Sequence, residues 1–471
     1  MVAMSGRRPV GAVDNIWLNM DRPTNLMVID AVMWFDGTVD WDRFQTVLLR
    51  RIVDHFPVFR QRLADPGLGL SGQHWEDDPE FDLTDHLHRI TLPAPGGEGE
   101  LATLVEQRMS VPFPRAHALW EFLLVDGFEG RSAVVGRFHH ALADGMALAD
   151  VLLRLTDATP DGDQDDAGYA EDEEHAPSVR NGFSLPGGLE VPSLPIPGLG
   201  ATAGFVSGLI RRARPSLVMD ALQLAQQTTH IADKLILGTV PDSPLTGTPG
   251  IDKRAVWSSP RPVEEIKRIA RLSGATVNDV LVGAVTGAMT EYVIHHGDEP
   301  RDVTTMVPVN LRPPGKPLPR ELGNRFALVM LPLPSATRAP LERLAETKRR
   351  MDSIKHSPEA VITFGLINAI GLTHPRIEEP LVSFFSGKAI GVTTNVMGPT
   401  SDRYVAGVQL QGILGWVPGS GHQTLGVCIY SYNRMVRVGF KTDATVIPDP
   451  ERLVATFDEE LDELARMARA F

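Results

Sequence analysis

The chain has 471 residues, 43% of them apolar, enough to bury one large core or two of ordinary size, and two is the expected number. Its 45 lysines and arginines stand against 59 aspartates and glutamates, a formal charge of −14, which disfavours a general polyanion-binding role while leaving room for local basic patches; nucleic acid is not an expected partner. A single cysteine, Cys428, excludes an internal disulfide and any multi-cysteine metal site and suits a reducing compartment.

At the N-terminus Met1 to Pro9 is short and basic, but the stretch from Val10 to Asn19 is interrupted by Asp14 and Asn15, so no secretory signal is expected. No apolar run reaches about 18 residues, so no transmembrane helix is expected and any membrane contact is peripheral. Met27 to Phe35 reads as a strand, and Trp41 to Phe56 as an amphipathic helix with Phe44, Val47, Leu48, Ile52 and Val53 on one face. Gly67 to Gly72 matches GxGxxG by letter. It follows a proline-containing turn rather than a strand, so a hairpin is expected there and not a nucleotide loop. His86 and His88 read as loop or surface residues, without the further ligands a metal site needs. Glu98 to Val111 reads as helix, and Trp120 follows in Ala118-Leu119-Trp120-Glu121.

The central stretch, Ser132 to Leu155, holds His139-His140-Ala141-Leu142-Ala143-Asp144-Gly145, an HHxxxDG motif. Ala133, Val134, Val135 and Phe138 precede it at strand length, while Met146, Leu148, Val151, Leu152 and Leu155 follow at helical spacing, placing the motif on a strand-to-helix turn. Adjacent side chains at a strand end point to opposite faces, so one histidine is the proton acceptor and the other supports it. A partly buried imidazole, held neutral, is the side chain best suited to take a proton from an alcohol near pH 7.

Beyond the motif the composition changes. Asp157 to Ala176 is acidic and Pro177 to Gly200 is rich in proline and glycine, marking residues 158–200 as a linker between an N-terminal part, 1–157, and a C-terminal part, 201–471. Residues 201–237 pair small and apolar residues with Arg211, Arg212 and Arg214; they suit either a membrane surface or a helix packed on its own protein. Next come a strand near Arg254 to Ser258, a helix from Val263 to Ser273, and a helix capped by Thr276 or Asn278 that runs through Tyr292. Asp279 in its first turn is stabilising as a helix start alone. A strand running into Arg312 needs an anion if buried, and Asp144 is the expected partner. Leu425 to Tyr432 and Met435 to Lys441 read as a hairpin. The closing helix has Asp449 as its expected cap, with Leu453, Phe457, Leu461 and Leu464 as the buried stripe.

Several of these segments together resemble the bacterial wax ester synthase/diacylglycerol acyltransferase family, and HHxxxDG itself is shared with the wider coenzyme A-dependent acyltransferase superfamily. The resemblance rests on His139 to Gly145, Ala118-Leu119-Trp120, Asn278-Asp279, Val307-Pro308-Val309-Asn310-Leu311-Arg312, Gly323-Asn324, and Asn395-Val-Met-Gly398-Pro399. The chain departs from the family's pattern at Ala118, Asn310 and Met397, where the family has proline, serine and proline. The resemblance implies an α/β fold of two chloramphenicol acetyltransferase-like subdomains with mixed sheets and an active-site tunnel at their interface. It implies His140 as catalytic base, with His139, Asp144 and Gly145 in the catalytic motif; Trp120, Asn278, Asp279 and Asn395 at the substrates; and Arg312, Asn324, Gly398 and Pro399 as structural support. For Trp120, tunnel wall and buried core remain equal readings.

The implied reaction moves a long-chain acyl group from acyl-CoA, a substrate rather than a cofactor, to diacylglycerol or a long-chain alcohol. No metal and no cofactor are implied. The implied location is the cytoplasm, peripherally on the inner face of the membrane or on lipid inclusions; the oligomeric state stays open. Two alternatives stand beside this reading: a superfamily acyltransferase with a specialised polyketide or glycolipid alcohol as acceptor, and a non-catalytic lipid-associated protein. No GxSxG is present and Cys428 lies in a strand pattern without a nearby base, which argues for direct attack of the alcohol on the thioester.

Overall fold

The structure, a computed structural model, describes residues 7–64, 73–164, 240–312, 317–355 and 387–469, with positions 363 and 367 and the backbone of 180–181. In chain order the first half gives β1 (Arg8–Pro9), α1 (Ala12–Met20), β2 (Val28–Phe35), α2 (Trp41–Leu48), β3 (Gln61–Leu63), β4 (His74–Asp77), β5 (Leu87–Thr91), α3 (Glu98–Met109), β6 (Trp120–Phe128), β7 (Arg131–His139) and α4 (Gly145–Arg154). After the short β8 (Arg180–Asn181) come β9 (Lys253–Trp257), β10 (Arg261–Pro262), α5 (Val263–Ser273), α6 (Val277–His295), β11 (Val303–Asn310), β12 (Phe326–Leu333) and α7 (Pro340–Lys355). The chain then runs through β13 (Gly391–Met397), β14 (Tyr404–Val405), β15 (Val408–Trp416), β16 (Leu425–Tyr432), β17 (Met435–Asp443) and α8 (Glu451–Ala468).

Two mixed sheets dominate. The first has the order β14-β15-β2-β7-β6-β5, and the second β10-β17-β16-β13-β11-β12, with β9 paired to β17 and β8 to β13. Only β5 with β6, and β13 with each of β11 and β16, run parallel within them. The alternation of β11 sets which side faces the helices: Val303, Val307 and Val309 join the core under α5, α6 and α8, together with Ala327, Val329, Leu331 and Leu333 of β12. Strands β2 and β7 are buried on both faces, which is why they read as nearly continuous apolar runs.

β15, far along in the sequence, completes the first sheet by pairing antiparallel with β2, Leu414 opposite Val32 and Trp416 opposite Asp30. A second half numbered 201–471 therefore includes strands that belong to the first sheet. The two polar interruptions in β2 and β7, Asp30 and Arg137, sit opposite each other in register. Arg137 donates to Asp30 at 3.2 Å and to Glu121 at 3.1 Å, while Lys441 Nζ of the second half lies 3.4 Å from the other Asp30 oxygen. Buried charges are tolerated only when paired in this way, and this cluster joins the halves next to the end of β7.

Several expectations are revised. The helix starting at Trp41 changes at Leu49 into a π-helical turn that ends at Val53. His86 is buried rather than peripheral: its ring stacks on Trp120 at 4.6 Å and its Nδ1 donates to the Trp120 carbonyl at 3.0 Å. Asp449 does not cap α8 through its side chain; its carboxylate accepts from the Tyr292 hydroxyl at 2.6 Å, and Pro450 stands at the cap position. The GxGxxG-like segment, and the basic segment with Arg211, Arg212 and Arg214, lie outside the described residues. Among the described residues no helix is long and apolar enough to cross a membrane.

Candidate active site

β7 ends at His139, and the chain turns at once into α4. The His140 amide donates to the Met27 carbonyl at 2.7 Å, the Leu142 amide to the His139 carbonyl at 3.0 Å, and Asp144 Oδ1 caps α4 by accepting from the Ala147 amide at 3.0 Å. The two histidines part here. His139 turns into the protein, where its Nδ1 accepts from the Ala141 amide at 3.1 Å, leaving the proton of a neutral ring on Nε2, 3.8 Å from Asp21. Burial alone would raise the Asp21 carboxyl; the His139 contact and the Met27 amide outweigh it and hold Asp21 below its ordinary value.

His140 is half-buried and faces the second half of the chain. Its Nδ1 lies 3.0 Å from Asn324 Oδ1, while Asn324 Nδ2 donates to Asp14 Oδ1 at 2.7 Å and to the His140 carbonyl at 2.8 Å. Since the His140 carbonyl can only accept, and Asp14 Oδ1 already receives the Asn324 backbone amide, the amide orientation is settled. The oxygen of Asn324 faces the imidazole, so Nδ1 carries the proton and Nε2 is left with its lone pair. Trp17 of α1 stacks on the same ring at 4.2 Å, and Phe326 lies 6.0 Å away. Burial is the largest influence on the His140 pKa and moves it down to about 4, against the opposing charge of Asp144 and the Asn324 bond. Burial thus favours the neutral ring.

Asp144 has both oxygens engaged elsewhere. Its Oδ2 accepts from Arg312 Nη1 at 2.5 Å and from the Arg325 amide at 2.9 Å; Arg312 Nη2 in turn reaches the Gly323 carbonyl at 2.5 Å. Burial would raise the Asp144 carboxyl, but Arg312 and the Arg325 and Ala147 amides overcome it and keep it ionised. The aspartate of the motif therefore ties the turn of the first half to residues 312–325 of the second, the pairing expected from the sequence.

The remaining residues of interest fall into separate groups. Asn278 Oδ1 accepts from Asn395 Nδ2 at 2.7 Å, linking the start of α6 to β13. Asp279 forms the capping box of α6, its Oδ2 accepting from the Thr276 amide at 2.8 Å, the helix-start role. Trp120 lies in the first core against Phe59 and His86, its indole N–H donating to the Phe59 carbonyl at 2.8 Å, which is the buried-core reading. The Gly398 amide donates to the Ser431 carbonyl at 2.8 Å, and the Pro399 carbonyl accepts from Asn433 at 2.8 Å, so this turn locks onto the β16–β17 hairpin. A Cβ on Gly145 would meet nothing closer than Ile29 at 3.8 Å, so sterics do not demand a glycine there. Asp14, Trp17 and Asp21 escape a reading of motifs. The trace that Asp14 and Trp17 leave in the sequence is their spacing of three, which puts them on adjacent positions of one helix.

The two halves meet at the turn that carries His140 and Asp144. The wax ester synthase/diacylglycerol acyltransferase from Marinobacter aquaeolei VT8 superposes with a TM-score of 0.67 at 20% identity, covering 98% of this chain and 99% of that one. The first condensation domain of the calcium-dependent antibiotic synthetase follows the same fold, with a TM-score of 0.55 at 17% identity and 98% coverage of both chains. The family is set by sequence. The wax ester synthase/diacylglycerol acyltransferase catalytic domain matches residues 10–281 and the C-terminal domain of that family matches residues 322–465, so the chain belongs to this family. A Mycobacterium tuberculosis (strain H37Rv) protein named "Probable diacyglycerol O-acyltransferase tgs1" is 26% identical over 463 residues, 96% of this chain and 94% of its own. The protein is accordingly an acyltransferase of the diacylglycerol O-acyltransferase/wax ester synthase type.

Proposed function

We propose that the protein transfers a long-chain acyl group from acyl-CoA to diacylglycerol or a long-chain alcohol, with His140 as the general base. The observation that carries this reading is the Nε2 of His140, left with its lone pair by the Nδ1–Asn324 contact, on a ring held at the junction of the halves by Asn324 and Trp17. In one step Nε2 takes the proton of the acceptor hydroxyl while that oxygen bonds to the thioester carbon. As the tetrahedral intermediate collapses the C–S bond breaks, and the proton returns to the CoA thiolate. A covalent acyl-cysteine is disfavoured, because burial pushes the Cys428 thiol up to about 12 and keeps it out of the thiolate form. Asp144 keeps the turn in place and does not touch the imidazole.

Discrimination by chain length alone is weak, since each methylene in an apolar site is worth only about 1–3 kcal/mol. Both hexadecanol and dipalmitoylglycerol are therefore expected to be esterified by palmitoyl-CoA, and His140→Ala is expected to cost roughly 10²- to 10⁴-fold in turnover on either. A folded His140→Ala protein of near-normal rate would remove His140 as the base. Silence of the parent on both lipids, with activity on a polar polyketide or glycolipid alcohol, would move the acceptor to that class. The working place of such an enzyme, in this reading, is the cytoplasmic face of a membrane or a lipid inclusion, where its acceptors collect.

A further inference from the structure

Helix α1 contributes more to the site than the stacked face of Trp17. Asp14, one turn earlier on the same helix, is buried, and a single oxygen of it, Oδ1, receives both the backbone amide of Asn324 at 2.9 Å and its side-chain Nδ2 at 2.7 Å. Room for the carboxylate is made by glycine: a Cβ on Gly11 would come within 2.6 Å of Asp14 Oδ2. Two N–H groups of one asparagine converge on that oxygen, and Nδ2 also donates to the His140 carbonyl at 2.8 Å; together the two acceptors leave the amide a single orientation, with Oδ1 toward His140 Nδ1. An amide free to rotate by half a turn would present N–H to that nitrogen instead. The imidazole would then carry its proton on Nε2, the nitrogen that must accept.

We propose that Asp14 is a positioning residue for acyl transfer: acting through Asn324, and together with the His140 carbonyl, it holds the tautomer of His140 that leaves Nε2 unprotonated. This rests on the reading of His140 as base. The chain Asp14, Asn324, His140 draws on α1, on the segment before β12 and on the catalytic turn, so the base is competent only when both halves are docked. Because one acceptor oxygen does the work, an amide oxygen can replace it.

The test measures kcat and KM for palmitoyl-CoA with hexadecanol in Asp14→Ala, Asn324→Ala, the double variant and Asp14→Asn, together with ¹⁵N spectra of histidine-labelled parent protein. His140→Gln serves to assign the signal and, separately, to test the base itself. Asp14→Ala is expected to lower kcat by about 10- to 100-fold, as misplaced catalytic groups do, with KM little changed. Asp14→Asn should stay within about threefold of the parent, and the double variant should be no slower than Asn324→Ala alone. Parent His140 should be the Nδ1–H tautomer at pH 7. Multiplying losses in the double variant, or a folded Asp14→Ala protein of parental kcat, would overturn the proposal while leaving His140 as base. A parent His140 found protonated on Nε2 would overturn it without any variant, so a poorly folding Asp14→Ala does not shield it. A fully active His140→Gln would instead sink the underlying mechanism.

Discussion

Two helix starts in this molecule carry the same local signature and end up in different work. α4 and α6 both begin with a buried acid in or beside the first turn, Asp144 and Asp279, and both acids satisfy amides at their own helix end. At α6 the polar chemistry of the acid closes on Thr276, three residues away, and contact with another element is left to its neighbour Asn278, which meets Asn395. At α4 only one oxygen is spent locally. The other crosses to Arg312 and the Arg325 amide in the second half. A cap holds a helix; a cap with a second, distant partner also fixes where the helix start lies relative to another part of the chain, and a base placed on that turn inherits the precision.

Breaking the distant partner should therefore cost far more than breaking a local one. Asp144→Ala leaves Arg312 partly buried beside an empty site, and a loss of about 3–5 kcal/mol in urea unfolding is expected, as for other buried pairs cut on one side, with acyl transfer falling as well. A fully active, equally stable Asp144→Ala protein would mean that the pair does not hold the turn. Thr276→Ala removes one half of the α6 capping box and should cost about 1 kcal/mol, with kcat retained in the folded fraction. If its kcat falls as far as that of Asp144→Ala, the two turns are not distinct in function.

The smallest effect is expected from pH. With His140 held near 4 by burial, the base stays unprotonated down to that region, and activity is lost only as pH falls through it. Between pH 8 and 6 kcat/KM should then change less than about twofold, whereas a histidine at its ordinary value of 6.5 would retain roughly a quarter at pH 6. An acidic limb centred near 6.5 would show that the imidazole is better solvated in the working enzyme than its surroundings here imply.

Asp14 shows how a correct local reading can miss a role. In the sequence it interrupts an apolar stretch and so speaks against a signal peptide. In the fold the same interruption is a buried carboxylate that accepts from Asn324, the neighbour of His140. His86 misleads in the opposite direction, since a histidine between aspartate and leucine in a short loop looks solvated, yet Trp120 supplies both an aromatic face and a carbonyl that let it bury. Asp449 was legible as a helix-start residue because aspartate before proline fits a cap; the hydroxyl of Tyr292, more than 150 residues away along the chain, takes its carboxylate instead.

What the amino-acid order determined by itself is local and periodic. The buried strand before HHxxxDG, the amphipathic helix after it, the start of α6 at Thr276 to Asn278 and the β16–β17 hairpin all follow from side-chain spacing and from bonds that span a few residues. Even the need of Arg312 for an anion was visible, because an unpaired buried charge is too costly whatever the fold. Only the tertiary structure decided that β15 returns to the first sheet, that Trp17 covers the His140 ring, and that Asn324 bridges Asp14 and the His140 imidazole. Those contacts join residues hundreds of positions apart, and their energies depend on distance and burial, quantities that side-chain order along the chain does not contain.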